Sequence, residues 1–111
     1  MNTNNSAWLR LHLEYGQEPL WIYDSEGNVI DVGLPPQWED DERLKHTLLE
    51  LSDAYDELFI NNEREFSYIG FHSEEQRAKL QRLIDQFIKA VYEKNHGEYR
   101  IRNDLYVPDV I

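Results

Sequence analysis

LWIYDSEGNVIDVGLPPQWEDDERLKHTLLELSDAYDELFI, residues 20–60, changes its apolar period part-way along and thereby sets the fold class. Its first third holds two short runs of aromatic and β-branched residues, 20–23 and 29–32, around Asp24-Ser25-Glu26-Gly27-Asn28. Gly and Asn tolerate positive φ, so this part reads as a β-hairpin. Pro35 and Pro36 then break the pattern and introduce a helix over residues 38–60. Leu44, Leu48, Leu51, Tyr55 and Leu58 recur there at helical spacing and form one apolar stripe. Asn61 and Asn62 are read as its stop.

Residues 7–15 alternate, with Leu9, Leu11 and Leu13 on one side and Arg10, His12 and Glu14 on the other, which predicts a half-buried strand. Residues 65–71 are rich in aromatics and predict a further strand. Ser73 and Gln76 are spaced as a capping box that opens a second helix. Leu80, Leu83, Ile84, Phe87, Ile88 and Val91 form its buried face, and Gly97 is the expected end. Residues 99–107 predict a last strand, closed by Pro108. The expected order is β-β-β-α-β-α-β. It implies an α+β fold, a mainly antiparallel sheet with two amphipathic helices packed on one face. One domain over residues 1–111 is expected, with 1–6 as a flexible start.

Composition narrows the function. Leu, Ile, Val and Phe make up 30 of the 111 residues, above the level of roughly 20% below which chains tend to stay disordered. A real core is expected. With no cysteine, disulfides and thiolate metal sites are excluded. The opening MNTNNS lacks the basic and apolar regions of a secretory leader. No apolar run approaches the roughly 20 residues of a spanning helix. A cytoplasmic location is the expectation. The net charge of −11 is segregated along the chain. Between positions 14 and 65 there are 15 acidic residues against Arg43, Lys45 and Arg64, whereas from Phe66 onward seven acids balance seven bases. Such a field repels nucleic acid and anionic membranes and steers basic proteins toward one face. Acidity selected for solubility is the plain alternative.

At about 100° per residue, Glu39, Glu42, His46, Glu50, Asp53 and Glu57 fall opposite the leucine stripe, within roughly 80° of one another. Like charges at i,i+3 and i,i+4 oppose helix formation. Asp53, Asp56 and Glu57 also stand near the end where the helix dipole favours cations. Local stability therefore does not account for the pattern, which reads either as a solvated face or as a docking face for Lys and Arg. Leu49, on its flank, and Trp38 and Tyr23 are candidate apolar contacts, set against ordinary packing. Glu42, His46 and Glu50 have ligand-like spacing, but no second His motif accompanies them, so neither metal nor cofactor is expected. There is no nucleophile elbow or phosphate-binding glycine loop, and no catalytic residue is assigned.

Residues 19–31, PLWIYDSEGNVID, are followed by Leu34-Pro35 and an acidic helix, and later EFSYIGF, 65–71, precedes a Ser-capped helix. Over roughly residues 19–95 this resembles small bacterial immunity proteins. Proteins of that kind neutralise the C-terminal toxin domains of polymorphic toxins, including those of contact-dependent growth inhibition systems. The resemblance implies a cognate basic toxin domain as partner, an RNase or DNase whose substrate surface must neutralise phosphates. It implies inhibition by occlusion of that surface, with no catalysis, no direct nucleic-acid contact and no membrane. Two other classes compete: an acidic adaptor or regulator of a different basic protein, and a small hydrolase or metal-dependent enzyme.

Overall fold

The alternation at the start of the chain is realised as a sheet with one apolar face. A computed structural model describes residues 7–108. Strands β1 (Trp8–Leu11), β2 (Leu20–Tyr23) and β3 (Val29–Val32) form an antiparallel meander. β6 (Arg100–Asn103), reached only after both helices, pairs parallel to β1, giving the order β3-β2-β1-β6. A parallel neighbour needs a long crossover, and the helical segment supplies it. Leu9, Leu11, Leu20 and Ile22 point to the buried face, and Ile101 packs beside Leu9. Trp8, Arg10, Trp21 and Tyr23 alternate onto the other face, where Trp8 and Tyr23 stack at 4.3 Å.

The β2–β3 turn forms as the Gly and Asn positions suggest. Gly27 takes φ +88°, and the Asp24 carboxylate accepts from the backbone N–H groups of Glu26 and Asn28, each at 2.9 Å. Those donors, the Asn28 N–H foremost, hold the Asp24 carboxyl below its ordinary pKa.

Helix α1 (Glu42–Asp56) is shorter at both ends than the expected span 38–60. Pro36–Trp38 makes only a single 3₁₀ turn, and Asp41 then caps α1 by accepting from the Leu44 N–H at 3.0 Å. An extended N-cap residue resets the backbone, so the helix cannot run back through Asp41 to Trp38. At the far end, Phe59–Asn61 is strand β4, which pairs antiparallel with β5 (Phe66–Tyr68) as a separate two-stranded hairpin. Asn62 turns that hairpin: its side-chain oxygen accepts from the N–H groups of Arg64 and Glu65 at 2.8 and 3.0 Å. Asn61 thus ends β4 and Asn62 makes the hairpin corner, and neither is a helix stop. The aromatic strand expected at 65–71 accordingly lies outside the main sheet.

Helix α2 (Glu74–Lys94) starts at the expected cap, with Ser73 accepting from the Gln76 N–H at 3.1 Å and Gln76 reaching back to the His72 N–H. It ends earlier than Gly97, because Asn95 makes paired hydrogen bonds to the Tyr99 backbone that turn the chain into β6. The apolar stripes of both helices and the inner sheet face form one core, in which Trp38, Leu48, Leu51, Phe87 and Val91 are almost fully buried. The protein is an α+β fold with a mainly antiparallel sheet.

Candidate docking face on helix α1

Once Leu44, Leu48 and Leu51 are committed to the core, the opposite side of α1 has to face solvent. Glu42, His46, Leu49, Glu50 and Asp53 are all exposed along it. Glu39, in the turn before the helix, and Glu57, its C-cap, extend the strip at either end and are exposed too. Seven of the nine residues singled out as a docking surface therefore lie on or beside one face.

The strip is poorly neutralised. Glu42 meets Lys45 at 3.9 Å and Glu50 meets His46 at 3.3 Å. Among the described residues, Glu39, Asp53 and Glu57 make no ion pair. Lys94 is turned to the N-cap, 3.5 Å from Asp41, and Arg43 to Glu93 at 3.9 Å. The Asp41 carboxyl sits below its ordinary pKa, held there first by the Leu44 N–H and then by Lys94. No basic residue occupies the last turn of α1, so Asp53, Asp56 and Glu57 oppose the helix dipole uncompensated.

Leu49 is 45% exposed, as single surface leucines often are. It borders a groove of about 250 Å³ with Leu34 and Leu48, rimmed by Glu18, Glu39 and Lys45. Burial pushes the Glu18 carboxyl up, and Asp31 adds to the shift. An apolar floor with two carboxylates on its rim, Glu18 and Glu39, against the one cation Lys45 suits the stem and head of a long basic side chain.

The other two expected contacts lie elsewhere. Trp38 is 1% exposed, its indole N–H donates to Glu98 at 3.2 Å, and its ring meets Tyr99 edge-on at 5.5 Å. It is a core residue and presents no surface to a partner. Tyr23 lies on the outer sheet face, away from the helices, stacked on Trp8 and accepting a 3.4 Å hydrogen bond from Arg10. It does not join the α1 strip. What the pattern reading missed are Phe66 and Tyr68, 56% and 37% exposed on the small hairpin. An aromatic-rich strand reads as buried, and only its pairing with β4 outside the main sheet leaves it open.

Among the described residues, no group of three side chains is placed to hold a metal ion. Glu42, His46 and Glu50 lie along one helix face, with His46 contacting Glu50 alone of the two. A wider cleft of about 470 Å³ opens between β3 and the loop before β6. Asp31, His96 and Glu98 line it, with no hydrogen bond among them within the described residues. No described helix is long and apolar enough to cross a membrane. No protein-family model, no curated protein and no solved structure matches the chain.

Proposed function

We propose that this protein is an inhibitory binding protein that covers the basic surface of a partner, acting as the immunity protein of a toxin domain in the cytoplasm. The observation that carries the reading is the α1 strip, where exposed carboxylates from Glu39 to Glu57 accumulate mostly without partners, favoured by the helix dipole at Glu42 but opposed by it at Asp53 and Glu57. A nuclease must present Lys and Arg to phosphates, and an acidic strip placed there excludes the substrate by charge and by bulk. Long-range attraction speeds encounter, while the groove beside Leu49 gives a basic side chain a defined seat.

The test is a pull-down of the tagged protein from cells that carry its native neighbouring genes, at low and high salt, followed by association kinetics. A stoichiometric basic toxin fragment that this protein renders harmless is the expected product. Its association rate should fall steeply with ionic strength, and in the variant Glu42→Lys/Glu50→Lys/Asp53→Lys it should fall at least tenfold. A housekeeping protein in its place identifies an adaptor. A salt-insensitive association rate overturns the electrostatic mechanism.

A further inference from the structure

The β4–β5 hairpin exposes aromatic surface where the acidic stretch meets the charge-balanced part of the chain. The register Phe59↔Tyr68 and Asn61↔Phe66 puts Phe59, Phe66 and Tyr68 on one face of the two-stranded sheet. Phe59 is the hub of a ring cluster: Phe66 stacks on it at 5.6 Å, and Tyr68 and Tyr55 meet it edge-on, each at 5.3 Å. Tyr15 closes the cluster at 4.9 Å from both Phe59 and Phe66, and its hydroxyl takes a 3.2 Å hydrogen bond from Asn61. The base of the cluster is thus held by α1 and by the β1–β2 connection. Phe66 and Tyr68 nevertheless stay 56% and 37% exposed. Rigid aromatic rings left open in this way lose little entropy on binding, and aromatic residues dominate interface energetics.

The surroundings specify the chemistry of the occupant. Glu14 precedes Tyr15, Glu57 lies at the end of α1 two residues before Phe59, and Glu63 and Glu65 flank Arg64 at the hairpin corner. The Gly16 N–H donates to the Asp56 side chain at 3.1 Å, which brings the acidic β1–β2 connection against the end of α1. An apolar patch whose sequence neighbours are Glu14, Glu57, Glu63 and Glu65, with Arg64 the one cation among them, complements an apolar side chain set among Lys and Arg.

We propose that Phe66 and Tyr68 form the apolar anchor of the docking surface, receiving an apolar side chain that the basic partner presents among its arginines. This rests on the reading of α1 as the face that meets a basic partner. The two parts divide the work: the strip governs encounter, and the hairpin governs residence time.

The full chain is titrated, with amide chemical shifts as readout, against two arginine-rich synthetic peptides of equal charge. One carries a central pair of leucines and the other serines in their place. The leucine peptide should perturb residues 59–69 and bind at least tenfold more tightly. Phe66→Ser should remove that tenfold by a faster off-rate, leaving the serine peptide's affinity and the on-rates of both unchanged. Equal affinities for the two peptides, or a Phe66→Ser variant that keeps the preference, overturn the anchor while leaving the acidic strip intact. Absence of binding of either peptide at low salt overturns the strip and the anchor together. Sedimentation of the free protein completes the test. A dimer abolished by Phe66→Ser assigns the patch to a second copy and overturns the basic partner as its occupant.

Discussion

Neutralising Asp53 and Glu57 with the isosteric pair Asp53→Asn and Glu57→Gln should make the protein more stable while weakening its docking face. Asp53 lies in the last turn of α1 and Glu57 is the C-cap, with no basic residue beside them. Each carboxylate there opposes the macrodipole, at a cost of about 0.3 kcal/mol for an exposed position. Glu50–Asp53 at i,i+3 and Asp53–Glu57 at i,i+4 are like-charge neighbours, each unfavourable by roughly 0.2–0.5 kcal/mol. The four effects together come to about 1 kcal/mol at low ionic strength. For a domain of this size that corresponds to a rise in Tm of roughly 4–8 °C. Differential scanning calorimetry at low and high salt is the assay. The gain should shrink at high salt, because the charges are exposed and screened. A variant no more stable than the parent at low salt would refute the claim that the strip is maintained against local stability, and would favour an ordinary solvated face.

Trp38→Ala should cost about 3–5 kcal/mol in urea unfolding, the usual range for emptying a buried Trp site, because its ring is 1% exposed; the folded fraction should keep its affinity for the basic leucine peptide. Asp104 accepts from Arg10 Nε at 2.7 Å and lies 2.9 Å from Arg102 Nε, and the hydrogen bond from Arg10 is the chief reason its pKa is lowered. A depressed carboxyl stabilises the fold above the unfolded value of about 3.9 and loses that contribution as pH falls through the folded value. Asp104→Asn should therefore be less stable than the parent at neutral pH, with the gap closing below about pH 4 in parallel unfolding curves. Gly33 takes φ +121°, and a Cβ there would lie 2.8 Å from Glu18 Oε1. Gly33→Ala should destabilise by about 1–3 kcal/mol, and adding Glu18→Ala should recover the steric part but not the backbone strain.

Sequence alone determined the elements whose signals are local. Period-two alternation at Leu9 and Leu11, the Gly27 turn, the Ser73 cap and the leucine stripe of α1 each depend on neighbours within a turn or a pleat. The acidic strip was legible for the same reason: a helix with one face committed to a core shows its other face to water. What depended on distant pairing was not legible. Whether residues 59–61 continue a helix or become a strand is decided by β5, several residues away, and by the Asn62 corner that brings the two together. For Trp38 the residue pattern favoured core packing over an exposed anchor, and it is Glu98 and Tyr99, some sixty positions on, that close over it. Tyr23 was placed by the sheet, which sends alternate side chains to opposite faces and so separates it from α1. The openness of Phe66 and Tyr68 likewise arises because their strand pairs outside the main sheet, leaving the aromatic face of the small hairpin only partly covered, by Tyr15 and Tyr55. Local chemistry chose the elements, and long-range contacts chose which of their faces remain free to bind.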